Sequence, residues 1–333
     1  MERIDQAARW LLERDNFLIL THRRPDGDAT GCAIALCLGL RSLGKTAWIW
    51  ANPQFTPRYA PRLAGLTTDT PAEDAVIVAV DLASEGLLPM GGEAFAGKTR
   101  LCLDHHPSNT GYAAETLVQP ECGGCGELIW DLLEAMGVDI TPAMAEALYI
   151  AVSTDTGCFR FSNTTARTFR TAAKAVEHGA SIAPINRVLF EVKTRGRLEL
   201  ESRLMANMEF YAGGKVAIGC LPQAWVEELQ VTEDDLDSIS GFPRTIDGVQ
   251  VGVMIRNSEA GKAKLSLRTA QGYNASDYCA KLGGGGHAAA AGAAIPGTLE
   301  DGKNAILQVL RDAHVIEGRK GNTDCHGPCG ASQ

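Results

Sequence analysis

Through the first half of the chain, short wholly apolar runs alternate with longer stretches whose apolar residues recur at helical spacing. FLILTH (17–22), AVIVAVD (75–81) and RLCLDHH (100–106) read as buried strands, and each finishes on ionisable residues. Between them, residues 29–44 and 126–137 read as helices that stop at glycine. PAMAEALYIAVS (142–153) is a further helix leading into Thr154-Asp155-Thr156-Gly157. This alternation predicts an α/β domain, a mainly parallel sheet with helices on both faces.

From about Ser181 to Glu209 the chain turns charged and helix-prone, which marks an interdomain connection. Beyond it, KVAIGCL, GVQVGVMIRN and KAKLSLRT alternate or cluster β-formers, as strands of a second, smaller α/β domain do. The expected division is a first domain over 1–190, a helical linker over 191–212, a second domain over 213–316 and a disordered tail over 317–333. A length of 333 residues suits two domains of unequal size.

Composition narrows the picture. With 45% apolar and 21% charged residues, the chain reads as an ordinary globular protein. Its start, MERIDQAARWLLERDNF, lacks the basic-then-apolar order of a signal peptide, and no run approaches the length of a membrane span. Ten cysteines without a secretory leader fit reduced thiols, so a cytoplasmic protein is expected, away from any membrane. The net charge of −9 is unusual for a protein that meets polyanions. Bound cations would invert that sign locally.

The candidate chemistry lies where the strands end. Thr21-His22-Arg23-Arg24-Pro25-Asp26-Gly27-Asp28 follows one strand and precedes a helix, at the sheet edge where open α/β folds bind ligands. Taken alone, Asp28 reads equally well as a helix N-cap and Asp26 as a turn residue. But Asp81 ends a second apolar strand, Asp104-His105-His106 ends a third, and Asp155 follows an apolar helix. Costly groups recurring at one edge argue for a site rather than for separate structural roles. Hard oxygen ligands mixed with imidazole suit manganese, with magnesium as the alternative, better than zinc, which would recruit thiols. Two such ions share a carboxylate and assist in-line phosphoryl displacement, and the strand-end Asp81 is the natural bridge.

In HRRPDGD, VDLAS, LDHHPSN and STDTGCFRFSNTT, in that order, the chain resembles the DHH phosphoesterases. KLSLRT followed by LGGGGHAAAAG resembles the associated DHHA1 domain, so the likeness runs from His22 to Gly292. Within that superfamily it is most similar to the stand-alone bacterial oligoribonuclease and pAp-phosphatase type. The resemblance implies one metal held by His22, Asp26 and Asp81 and another held by Asp28, Asp81, His105 and Asp155. It also implies that Asp104 supports the histidines and that His106 meets the scissile phosphate. The second domain would then capture substrate, with Arg268 and the loop Gly283, Gly284, Gly285, Gly286 and His287 on phosphate and nucleoside. Glycine-rich backbone and a guanidinium fork suit an anion independently, although GGGG also reads as a flexible turn and AAAAG as a packed helix.

Arg160 is a further substrate candidate, whereas its neighbours Phe159 and Phe161 read first as core. Cys122-Gly123-Gly124-Cys125-Gly126 departs from the small hydroxyl residues usual there in the family. The spacings of Cys122 with Cys125 and of Cys325-His326 with Cys329 leave a zinc or redox site open.

The function implied is manganese-dependent hydrolysis of short oligoribonucleotides to mononucleotides and of 3′-phosphoadenosine 5′-phosphate (pAp) to AMP and phosphate. The expected partners are short RNA oligonucleotides and nucleotides, with a homodimer as one oligomeric alternative. A phosphodiesterase of cyclic or linear dinucleotides shares the same motifs. A pyrophosphatase would not carry the GGGGH loop, and a non-catalytic nucleotide-binding regulator would have lost a ligand, whereas all six are present.

Overall fold

The apolar runs of the first half become β1 (Phe17–Leu20), β4 (Val76–Val80) and β5 (Leu101–Asp104). The computed structural model describes residues 3–236, 238–258 and 261–317. Three more strands, β2 (Ala47–Trp50), β3 (Thr67–Thr68) and β6 (Glu115–Val118), complete a parallel sheet in the order β3-β2-β1-β4-β5-β6. The pattern of hydrophobic positions did not predict these three, because they are short and only partly buried.

Helices α1 (Ile4–Leu12), α2 (Gly27–Ser42), α3 (Ala60–Leu63), α4 (Cys125–Ala135), α5 (Pro142–Asp155), α6 (Ala166–Glu177) and α7 (Ile182–Asn186) complete this unit, the last running into a π-helical turn at Arg187–Glu191. Phe17, Ile19, Val78, Val80, Leu101 and Leu103 join Leu36, Leu40, Leu128, Leu132 and Leu148 in the main core. On the opposite face Leu18, Leu20, Ile77 and Ala79 are covered by the shorter connections that carry Leu82, Leu88, Phe95 and Tyr112. A strand apolar on both faces is what a parallel sheet covered on both sides requires.

Helix α2 starts two residues earlier than its apolar pattern suggests, and its N-cap is Asp26, whose side chain accepts from the Ala29 amide at 3.0 Å. Asp28, the sequence candidate for that cap, lies inside the first turn. Glycine lets α2 approach α5 closely, since a Cβ at Gly31 would stand 2.2 Å from the Ala147 carbonyl oxygen. One at Gly27 would stand 2.4 Å from the Thr154 hydroxyl. Both helices are therefore nearly wholly buried where they meet, and Asp155, the last residue of α5, comes to the same end of the sheet as the α2 N-terminus.

The chain divides into compact units at Val192/Lys193. In the second unit a six-stranded sheet runs in the order β11-β12-β10-β9-β8-β7. Its strands are β7 (Glu209–Tyr211), β8 (Val216–Leu221), β9 (Val251–Ser258), β10 (Lys262–Thr269), β11 (Gly285–Gly286) and β12 (Ala290–Pro296), with only β8 and β9 parallel. Its helices are α8 (Arg195–Ala206), α9 (Gln223–Glu228), α10 (Glu233–Leu236), α11 (Ala275–Ala280) and α12 (Leu299–Asp312). Ile306 and Leu310 of α12 pack on Val253, Ile255 and Leu265. Leu200 and Leu204 of α8 pack with Leu221 and Met254, so residues expected in a linker belong to this core.

The alanine run is strand rather than helix. His287 and Ala290 exchange backbone hydrogen bonds of 2.8 and 3.2 Å, closing a tight turn that pairs β11 with β12. The tail, including Cys325, His326 and Cys329, lies outside the described residues. Among those described, no helix is long and apolar enough to cross a membrane.

The glycine contacts predict a stability change of a definite sign. Gly→Ala in an exposed helix gains about 1 kcal/mol, whereas Gly31→Ala forces a methyl against backbone and should cost about 1–3 kcal/mol. Urea unfolding monitored by circular dichroism measures it. A midpoint equal to or above that of the parent would mean that α2 and α5 are free to separate.

Candidate active site

The order β3-β2-β1-β4-β5-β6 reverses between β1 and β4. Connections leaving these two strands run in opposite directions, which opens a crevice at their carboxyl ends. His22 follows β1, Asp81 follows β4, and Asp104, His105 and His106 close or follow β5. Helices α2 and α5 bring Asp26, Asp28 and Asp155 to that edge.

Asp81 is 3% exposed and holds a left-handed backbone, φ 52°, which a non-glycine residue adopts only under constraint. Its amide donates to the Leu103 carbonyl at 2.9 Å, fixing the turn out of β4. Asp81 Oδ1 is buried and has no hydrogen-bond partner among the described residues, 3.6 Å from His105 Nε2 and 3.4 Å from His106 Nδ1. Asp81 Oδ2 lies 3.7 Å from His22 Nε2, which is also 3.8 Å from Asp26 Oδ1. Burial pushes the Asp81 carboxyl well above the usual carboxylate range, and the neighbouring Asp28 and Asp26 add to it.

Asp28 is 1% exposed and is gripped on both oxygens. The Cys125 and Gly126 amides at the start of α4 donate to it at 2.6 and 3.0 Å, and the Cys32 thiol donates at 3.3 Å. A helix N-terminus suits a carboxylate, yet burial and the nearby Asp155 and Asp26 still push its pKa well up. Burial likewise pushes Asp155 up to about 7.

The histidines have distinct environments. His105 Nδ1 donates to the Cys122 carbonyl at 3.3 Å, so its Nε2 carries a lone pair. That nitrogen is buried, has no hydrogen-bond partner among the described residues and faces Asp28, Asp81 and Asp155 oxygens at 3.6–3.7 Å. A lone pair aimed at three carboxylates is repulsive unless a cation lies between them. His106 Nδ1 bonds Asp104 Oδ1 at 2.8 Å, and that bond, opposed by burial, pushes the imidazole up to about 9. Asp104 itself is buried, which raises its carboxyl, but His106 and Asn109 outweigh burial and hold it below the usual range. Its side chain thus supports the ring of His106 and only the backbone amide of His105.

Among the described residues, three groups of atoms that could serve as ligands fall within 4.8 Å of one another: His22, Asp26 and Asp81; Asp28, His105 and Asp155; and Asp81, His105 and His106. Oxygen-rich sets with imidazole suit a divalent cation, and the unpartnered Asp81 Oδ1 and His105 Nε2 are the atoms such a cation would satisfy. Thiols adjoin the site but serve as hydrogen-bond donors, Cys32 to Asp28 and Cys125 to the Leu103 carbonyl. Burial pushes the Cys122 thiol up to about 12.

Other candidates belong to none of these groups. Arg160 is exposed, its Nε donating to the Gly157 carbonyl at 2.6 Å. Phe159 packs against the core and stacks on Phe169 at 5.4 Å, while Phe161 is exposed. In the second unit, half-buried Arg268 donates to the Leu267 carbonyl and the Ser240 hydroxyl at 2.9 and 3.0 Å. Gly283 turns with φ 73°, and Gly285, Gly286 and His287 are exposed along β11 and its turn.

Residue patterns passed over three contributors. Asn109 donates to Asp104 at 2.6 Å, Glu127 is wholly buried beneath Gly123, and Asn163 bonds the Gly123 and Asp155 carbonyls at 2.8 and 3.1 Å. A charged residue on the apolar face of α4 was the available signal for Glu127. The two asparagines read as ordinary turn residues.

Residues 16–152 match the DHH family N-terminal domain, and residues 213–314 match the DHHA1 domain. The chain is 31% identical over 300 residues to the bifunctional oligoribonuclease and PAP phosphatase NrnA of Thermus thermophilus, covering 88% of this chain and 89% of that one. The Bacillus subtilis NrnA is 25% identical over 286 residues, 84% of this chain and 90% of that one. A crystal structure of an exopolyphosphatase-related protein from Bacteroides fragilis superposes with a TM-score of 0.80 at 23% identity, covering 93% and 95% of the two chains, and shares the fold. The strand order, the ligand groups at its switch point and these matches lead to one conclusion: the chain belongs to the DHH family, a DHH domain followed by a DHHA1 domain.

Proposed function

We propose that this chain is a manganese-dependent, two-ion phosphoester hydrolase that degrades short oligoribonucleotides to mononucleotides and converts pAp to AMP and phosphate. The observation that carries the reading is the pair of ligand groups around Asp81 and His105, each with a buried, unpartnered atom. Membership of the DHH family and the likeness to relatives named as oligoribonuclease and PAP phosphatase support the substrate class. Described cysteines that are all free accord with a reducing, cytoplasmic setting.

In this reading His22, Asp26 and Asp81 would hold one ion, and Asp28, Asp81, His105 and Asp155 would hold the other, with Asp81 shared by both. When bound, the two ions supply a nucleophilic hydroxide and stabilise the attacking and leaving oxygens of an in-line displacement. The chain's own residues do the rest. Asp104 fixes the His106 ring through Nδ1 and favours its imidazolium, leaving Nε2 to hold the phosphate or protonate the leaving oxygen. Arg268 has guanidinium N–H groups beyond the two it spends on Leu267 and Ser240, enough to grip a second phosphate. The exposed Gly283–His287 segment and Arg160 complete the substrate contacts.

A second reading, hydrolysis of cyclic or linear dinucleotides, is favoured by a 24% identical match over 95% of this chain to the cyclic-di-AMP phosphodiesterase GdpP of Geobacillus thermodenitrificans, half of whose length is covered. A panel of two- to ten-nucleotide RNAs, pAp and cyclic dinucleotides, assayed with and without Mn²⁺, separates the two. Fastest turnover of cyclic dinucleotides would displace the first reading.

The bridge makes a direct prediction. Asp81→Asn should abolish binding of the ion pair and reduce kcat by well over tenfold, or more than about 1.4 kcal/mol in barrier. Two manganese per chain with activity inside that limit would end the bridging role. Substrate capture makes another: Arg268→Ala should cost about 1.5–3 kcal/mol, mainly in KM for a dinucleotide. A small chromogenic phosphodiester, with no second phosphate to grip, should be cleaved almost normally. Equal losses on both substrates would place Arg268 in the catalytic centre or in folding instead.

A further inference from the structure

One five-residue loop touches every member of the Asp28–His105–Asp155 group. The Cys122 carbonyl accepts from His105 Nδ1 at 3.3 Å and so sets which ring nitrogen faces the carboxylates. The Cys125 and Gly126 amides hold the two oxygens of Asp28. Gly124 runs so close that a Cβ there would stand 3.0 Å from Asp28 Oδ2 and 3.3 Å from Asp155 Cβ. The His22–Asp26 pair, by contrast, is supported by the β1–α2 turn, through the Arg23 carbonyl on His22 Nδ1 at 2.7 Å and the Ala29 amide on Asp26.

The loop is itself locked from two sides. Asn163 Nδ2 donates to the Gly123 carbonyl at 2.8 Å and to the Asp155 carbonyl at 3.1 Å, with Asp155 Oδ2 at 3.4 Å. One amide therefore ties the loop to the third ligand. From beneath, Glu127 Oε1 accepts from the Gly123 amide at 3.3 Å and from the Thr168 hydroxyl at 2.6 Å. Arg167 Nε stands 3.4 Å from the other Glu127 oxygen. Gly123 has no room for a side chain, since its Cβ would lie 2.7 Å from the Thr168 hydroxyl and 2.9 Å from the Asn163 carbonyl.

We propose that Asn163 is a positioning residue which, through the loop 122–126 that Glu127 seats, shapes the Asp28–His105–Asp155 ion position selectively and leaves the His22–Asp26 position to the β1–α2 turn. The inference rests on the two-ion reading above. It assigns each ion position its own support, so damage to one support should appear at one ion. Outer partners that orient ligands typically contribute 10–100-fold to metal affinity.

Isothermal titration of the full chain with Mn²⁺ tests it, using Asn163→Leu, which keeps the side-chain size and removes the donor, and Glu127→Gln, which keeps size and weakens the seat. The expected result is one manganese affinity reduced 10–100-fold in Asn163→Leu and less in Glu127→Gln, with the other within about twofold of the parent. Hydrolysis should recover as Mn²⁺ is raised, because the residue touches neither substrate nor reacting atoms. Two unchanged affinities, or equal weakening of both, in a variant whose circular dichroism and Tm match the parent would overturn the inference. If Asn163→Leu does not fold, Glu127→Gln decides by the same criterion. A parent chain that binds a single ion would instead sink the two-ion reading itself.

Discussion

Repulsion among carboxylates at one end of a sheet is the constraint on which the rest of this structure turns. Asp28, Asp81 and Asp104 are essentially buried, and the ligand oxygens of Asp28 and Asp155 fall within 4.8 Å of each other. Two unit charges at that spacing repel by roughly 3 kcal/mol at an effective dielectric of 20. Hydrogen bonds answer only part of this. Asp104 has four donors and stays ionised, whereas Asp81 Oδ1 has none and its pKa rises. The distribution is informative: the carboxylate meant to stay ionised beside a histidine is saturated with donors, and the one between histidines is left bare.

Holding such a cluster together demands a stiff frame, and the close-approach glycines supply it. Gly27 and Gly31 let α2 lie directly on α5, and a Cβ at Gly126 would stand 2.7 Å from the Ala151 Cβ, so α4 closes on the same helix. These contacts bring three chain segments, remote in sequence, to one sheet edge. There the amides at the start of α4 meet Asp28 of α2, an interaction that spans nearly a hundred residues of sequence. In the loop Cys122 to Gly126 the backbone performs the holding. Side chains in this loop need only be small or point away.

The second unit solves a different problem. Its sheet is sandwiched between α12 on one face and α8 on the other, and Arg268 projects from β10, anchored by Ser240 rather than by any carboxylate. Burial pulls the guanidinium pKa down, and an arginine side chain keeps its positive charge in proteins. A net charge of −9 is thus compatible with an anionic substrate, because in the proposed reading cations act locally at both ends of the task.

How much of this was legible beforehand differs by element. The strands that end on Asp81 and Asp104, the helices around them and the six ligand candidates could be read from the chain, because apolar periodicity reports burial and because His, Asp and Gly at strand ends have few other reasons to recur. Short, half-exposed β2, β3 and β6 carry too few residues for any period to register, and the alanine run has no period at all, so its strand depends on pairing with β10. The choice of Asp26 over Asp28 as cap also lay beyond sequence, since both are good cap residues and only the α4 amides draw Asp28 inward. The same holds for Asn163 and Glu127. Residue types and local order established which chemistry the chain can carry, and even the donors on Asp104 come from its sequence neighbours His105, His106 and Asn109, whereas tertiary structure alone decided that Asp81 Oδ1 is bare and which loop holds Asp28. The hold on Asp28 and the locking of its loop depend on hydrogen bonds between segments forty to a hundred residues apart, and no local pattern encodes them.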